Sequence, residues 1–179
     1  VYAQTLTFYM VFGLLASTAL SLFAREILLL LATERYMGAN PVIGILAMSA
    51  VFNGLTYIAA TGATLAKKTW PIGATIILAA IINIILNVML VPRYGKMGAA
   101  VSTLLSQAFM PICLFAWSQR IYPIAYRFGH VIVLAVGSLF LMGLGANMQP
   151  SNLWLGILEK SALLLAFIPA AAFLRLRIS

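Results

Sequence analysis

An all-α integral membrane bundle of six transmembrane helices is the fold class this sequence predicts, and three observations predict it. Of its 179 residues, 64% are hydrophobic and 8% are charged, whereas soluble domains hold about 45–50% apolar and 25% charged residues. Mean hydropathy is +1.07. The apolar residues gather into stretches long enough, at ~1.5 Å per residue, to cross a hydrocarbon layer of ~30 Å. The expected spans are residues 4–31, 41–65, 72–91, 98–117, 131–146 and 153–174, within one transmembrane domain over 1–179.

The charge balance excludes other classes. A net charge of +8 is compatible with nucleic-acid binding, but the eleven Lys and Arg fall in ones and twos between apolar spans rather than on one face. No nucleic-acid partner is expected. Gly95-Lys96-Met97-Gly98 matches the backbone-clamping loop of an RNA-binding module, yet it lies between two spans and lacks that module's other parts. Cys113 is the only cysteine, so neither an internal disulfide nor a cysteine metal site is expected. No metal and no cofactor is predicted. The chain begins Val-Tyr-Ala-Gln without a basic n-region, which predicts no signal peptide and a start inside a longer protein.

The first span, about 28 residues, would reach ~42 Å and so must tilt, protrude or break. Arg25 and Glu26 lie three quarters along it, where Arg25 either snorkels or pairs locally at the interface, or faces an aqueous cavity. Asn40-Pro41 reads as an N-cap followed by proline at the first helical position of the second span. In that span Ser49, Asn53, Tyr57 and Thr64 recur at helical spacing beside Thr56 and Thr61, a polar stripe that either joins helices or lines a solvated path.

Lys67 and Lys68 close the second span, and Trp70 and Pro71 open the third. Asn83 and Asn87, four residues apart, share one face of it and need partners within the protein. Pro92 is expected to end this helix, with Gly95 and Gly98 allowing a tight re-entry. The fourth span opens with Ala99, Ala100, Ser102, Thr103 and Ser106, which permit close approach, and carries Gln107 and a bend at Pro111.

Residues 118–130 read as a loop with Arg120, Arg127, Tyr122 and Tyr126, and His130 as an interfacial hydrogen-bonding group. The fifth span is glycine-rich. Ser151 or Asn152 caps the sixth, which has small residues at Ala162, Ala166 and Ala170, a kink site at Pro169, and Glu159 and Lys160 as an expected local ion pair, although Lys160 could also reach a lipid phosphate. Six cations, Lys67, Lys68, Arg120, Arg127, Arg175 and Arg177, fall on one side, and Arg35, Arg93 and Lys96 on the other. The positive-inside rule makes the first side, with both chain ends, cytoplasmic.

Two stretches carry a resemblance that covers nearly the whole chain and is strongest from about Arg25 to Tyr126. Residues 83–107, NIILNVMLVPRYGKMGAAVSTLLSQ, are similar to the "N..LN..LIP.YG..GAA.AT..S" signature of the polysaccharide export flippases, the Wzx-like branch of the multidrug/oligosaccharidyl-lipid/polysaccharide exporter superfamily. Upstream, AREILLLLATERYMGANPVIGIL resembles that family's "ILLLLFG..Y..A..VL.IL", with Thr33 and Glu34 in place of the usual Phe-Gly. The resemblance implies the C-terminal part of a MATE-like fold of fourteen helices, the missing N-terminal lobe being its partner within the same chain.

It further implies multi-pass residence in the inner membrane and transfer of an undecaprenyl-pyrophosphate-linked oligosaccharide between leaflets by alternating access. The partners are then that lipid-linked substrate and membrane lipids. Such a cavity needs cations for pyrophosphate and amides for sugars, which nominates Arg25, Asn53, Asn83, Asn87 and Gln107 as substrate-binding residues. A cation-coupled multidrug or metabolite antiporter is the alternative. The three acids, Glu26, Glu34 and Glu159, stand away from span midpoints, which argues against it. A glycan polymerase or glycosyltransferase is less favoured: there is no aspartate, and no paired carboxylates or base-activated nucleophile are evident. No enzyme is expected.

Overall fold

The computed structural model describes residues 2–31, 38–121, 128–147 and 156–165, and among them every long element is an α-helix, with no strand. In chain order these are α1 Tyr2–Leu22, α2 Ala24–Leu31, α3 Asn40–Leu65, α4 Trp70–Ile121, α5 Phe128–Asn147 and α6, residues 156–165. Three helices are long and apolar enough to cross a membrane: Gln4–Leu22, Asn40–Leu65 and Trp70–Arg120. A shorter apolar helical stretch covers Leu134–Leu144 in α5. The all-α expectation therefore holds for the described residues.

The first span breaks, one of the three outcomes expected of it: it is interrupted at Phe23, although the Phe23 amide still donates to the Ala19 carbonyl at 2.9 Å and the Ile27 amide to the Phe23 carbonyl at 2.9 Å. Other sequence expectations are corrected. Pro92 does not end its helix. Helical structure continues to Tyr94, since a proline within the last turn removes only one backbone donor, and the chain reverses at Gly95 instead. The expected loop at 118–130 narrows, because α4 runs to Ile121 and α5 starts at Phe128. Pro111 lies buried within α4, where Gly95 is the one residue with non-helical backbone angles. The expectations for Glu34, Arg35, Tyr122, Tyr126, Arg127, Ser151, Asn152, Ala166, Pro169, Ala170, Arg175 and Arg177 lie outside the described residues.

The chain forms two compact units, one of Val1–Tyr9 and Met48–Tyr126, the other of Met10–Ala47 and Arg127–Ser179. In the first unit α4 is a helical hairpin. Gly95 has φ 54° and ψ −131°, the mirror of the first central position of a type II turn, open to glycine and closed to residues with a Cβ. The indole rings of Trp70 and Trp117 meet edge to face at 5.5 Å, whereas 47 residues of unbroken helix would hold them ~70 Å apart. Asn83 donates to Ser106 at 3.0 Å. These pairs centre on the same turn, so the two arms, residues 70–94 and 96–121, lie antiparallel, each ~38 Å long.

Gly98 lets the arms close, because a Cβ there would fall on the Leu90 carbonyl, 2.6 Å from its carbon and 3.0 Å from the Val91 nitrogen. The second arm also packs on α3, where Gly62 receives the buried Ser118 hydroxyl. Just beyond α3, Lys67 has a left-handed φ of 54°, with the Lys68 amide donating to Ala63 at 2.9 Å and the Lys67 amide to Thr64 at 3.0 Å. That is a Schellman cap.

In the second unit α1 approaches α3 where Gly44 accommodates Ser21. The Thr18 hydroxyl donates to Leu14 O at 2.7 Å, which uses its only proton, so Ser138 must be the donor in the 2.7 Å bond that ties α5 to α1.

Small hydroxyl residues share the interior with Leu6, Met10, Leu14, Met48 and Leu114, and much of the exterior is aliphatic. Ser17, Thr18, Ser102, Ser106, Ser118 and Ser138 are buried, whereas Ile77, Ile84, Val88 and Met89 on the first arm are each more than 60% exposed. Small hydroxyl residues permit close helix approach and bond back to the backbone, while large aliphatic side chains suit hydrocarbon.

Candidate functional site

The first arm contributes Asn83 and Asn87, which its helical period places on the face turned to the second arm. Asn87 Nδ2 donates to Asn83 Oδ1 at 3.0 Å and to Asn83 O at 2.9 Å; Asn83 Nδ2 donates to Ser106 Oγ; Ser106 donates onward to Ser102 O at 2.9 Å or Thr103 O at 3.0 Å. The result is a directed relay of side-chain hydrogen bonds. In hydrocarbon an unpaired amide costs several kcal/mol, and this relay supplies partners to the two asparagines. Ser102 and Thr103 turn their hydroxyls onto Gly98 O at 2.7 Å and Ala99 O at 2.9 Å, leaving the helix surface small and smooth beside it.

Ser106 and Gln107 are consecutive, about 100° apart around the helix, and so serve different neighbours. Gln107 Oε1 accepts from Asn53 Nδ2 of α3 at 2.9 Å. Asn53 is exposed and Gln107 half-buried. This pair lies near the middle of α3, ~20 Å from Asn40. Of the stripe on α3, Ser49 and Thr56 are buried, while Asn53, Tyr57 and Thr64 are exposed.

The structure thus brings Asn53 together with Gln107, and Asn83 together with Asn87, all within the first unit. Arg25 belongs to the second unit, where it is exposed on α2 and makes no hydrogen bond or ion pair among the described residues. Next to it, Glu26 is buried. Its Oε1 accepts from Lys160 Nζ of α6 at 2.6 Å, with the two side chains only 9% and 4% exposed. The expected local pairing of Lys160 with Glu159 is corrected by this contact: Glu159 is exposed on the solvent or lipid face of α6.

The second carboxylate oxygen of Glu26 has no partner among the described residues. The sequence signal for this pair was present but weak, being two charges inside apolar stretches 134 residues apart. Among the described residues no group of three His, Cys, Asp or Glu could hold a metal ion.

No family model, curated protein or solved structure matches the chain.

Proposed function

We propose that this chain is part of a transporter that moves a lipid-linked oligosaccharide, carried on undecaprenyl pyrophosphate, from one leaflet of the inner membrane to the other. The substrate class rests on the resemblance of residues 83–107 to the flippase signature, and its membrane setting is supported by the first unit's aliphatic exterior with mid-helix amides on the faces where helices meet. On this reading α1, α3 and both arms of α4 cross the bilayer, with Lys67, Lys68 and Arg120 at the cytoplasmic ends and Arg93 and Lys96 at the opposite tip. Asn83 and Asn87 hold the hairpin; Asn53 and Gln107 face the sugar. Arg25, exposed on α2 in the second unit, is a cation available to an anionic group. The chain performs transport and no bond-making chemistry.

The buried Glu26 favours one second reading, a cation-coupled antiporter, because a carboxylate with one unengaged oxygen inside the protein is a group a coupling cation could visit.

The intact protein, reconstituted in liposomes with a fluorescent undecaprenyl-pyrophosphate oligosaccharide, decides between these. Transfer of the lipid between leaflets at a rate well above protein-free vesicles is expected, reduced about tenfold when Asn53 and Gln107 are both replaced by Leu, as loss of one or two polar contacts predicts. Wild-type transfer no faster than in empty vesicles, together with cation-driven efflux of small organic cations, would establish the antiporter instead.

A further inference from the structure

The α3 stripe has hydrogen-bonding groups that contacts among the described residues leave open. The Thr61 hydroxyl turns back onto Tyr57 O at 3.3 Å and the Thr64 hydroxyl onto Ala60 O at 3.0 Å, so neither reaches outward. Asn53 and Gln107 share a single bond. Whichever way the two amides are oriented, one carbonyl oxygen and one NH2 group remain unengaged by the described residues. One helical turn beyond Asn53, on the same face of α3, Tyr57 is 75% exposed, and its hydroxyl has no hydrogen bond among the described residues.

An amide acceptor, an amide donor and a phenol therefore stand together at mid-helix depth, where facing lipid would cost several kcal/mol. The exposed surface of the first arm is aliphatic, and this cluster differs from that lipid-facing pattern. A lone polar stripe would be met by any polar helix, but a flat exposed ring beside open amides is the combination that a pyranose fits. The ring covers the apolar C–H face of the sugar while donor and acceptor meet its equatorial hydroxyls.

We infer that Tyr57, with Asn53 and Gln107, forms a subsite for the first sugar of the carried glycan, Tyr57 acting as the stacking platform. The inference rests on the transport reading above and adds to it which residues discriminate sugar from carrier lipid. Arg25, in the other unit, is not part of the subsite.

The test compares two probes on the detergent-purified intact protein: undecaprenyl pyrophosphate bearing one N-acetylhexosamine, and undecaprenyl pyrophosphate without sugar. Tyr57→Ala should weaken binding of the sugar-bearing probe about tenfold, the scale of a lost aromatic contact, and leave the sugar-free probe unchanged. Tyr57→Phe, which keeps the ring, should retain most of the affinity and controls for misfolding. Equal weakening toward both probes, or no change toward either, would overturn the subsite while leaving the transport reading intact. Failure of the wild-type protein to bind either probe would instead overturn the transport reading, and the subsite with it.

Discussion

Replacing Lys160 by Met lowers the stability of the protein by about 3–5 kcal/mol, the cost of leaving one charge of a buried ion pair without its partner. The magnitude follows from burial. With the two side chains 4% and 9% exposed, water cannot take over the role of the ammonium group, and the Glu26 carboxylate already has one oxygen without a partner among the described residues. Surface pairs of the same geometry are worth ~1 kcal/mol or less.

Glu26→Leu combined with Lys160→Met should recover most of the loss, because two apolar side chains of similar size remove both desolvation penalties together. Thermal unfolding of the purified protein in a mild detergent, followed by far-UV circular dichroism, reads both outcomes. A single variant that melts with the wild type would show that the pair does not hold α6 to α2.

The second large effect is at the hairpin turn. Gly98→Ala forces a Cβ into the Leu90 peptide of the facing arm, where the obstacle is backbone and cannot rotate away. Gly95→Ala is strained for another reason: its φ of 54° with ψ −131° is a conformation that a Cβ opposes, at a cost of about 1–3 kcal/mol. Gly98→Ala is expected to cost at least as much, since the arms must separate and the Asn83–Ser106 bond is drawn apart with them.

Gly73→Ala, on the first arm of the same hairpin, is the control. Apart from its chain neighbours and the adjacent backbone of its own helix, nothing among the described residues lies within 4 Å of its would-be Cβ, so the variant should be neutral or more stable by ~0.5–1 kcal/mol through helix propensity. Unfolding midpoints of the three variants, measured side by side, check the ordering. Equal stability of Gly98→Ala and Gly73→Ala would mean that the arms do not approach as closely as the hairpin requires.

How far the sequence discloses this architecture depends on whether the responsible interaction is local. The limits of α3 were legible because Asn40-Pro41 starts a helix and the Lys67-Lys68 pair follows its end, both read within a few residues. The re-entry at Gly95 and Gly98 was legible too, since glycine is the residue a reversal needs. What Pro92 does was not, because a proline in a last turn is compatible with either a stop or one more turn, and neighbouring contacts decide.

Of the candidate site, the need of Asn83 and Asn87 for internal partners follows from their place in an apolar run, and Ser106 as the receiving group does not. The partnership of Asn53 with Gln107 required knowing which faces of α3 and the second arm meet. The Glu26–Lys160 pair was misassigned because proximity in sequence favoured Glu159, whereas burial selects the carboxylate that lies inside the unit. Pairwise contacts across more than a hundred residues are set by packing that no local pattern records.

Everything proposed for the amides depends on the two arms of α4 each crossing the bilayer, with Arg93 and Lys96 on the face opposite Lys68 and Arg120. Single cysteines placed at Lys96, Lys68 and Arg120 in a Cys113→Ala background, labelled in intact cells with a membrane-impermeant maleimide, test this directly. Labelling at position 96 from the outside, and at 68 and 120 only after the membrane is permeabilised, is the expected result. Labelling of all three positions from the same side would contradict the account.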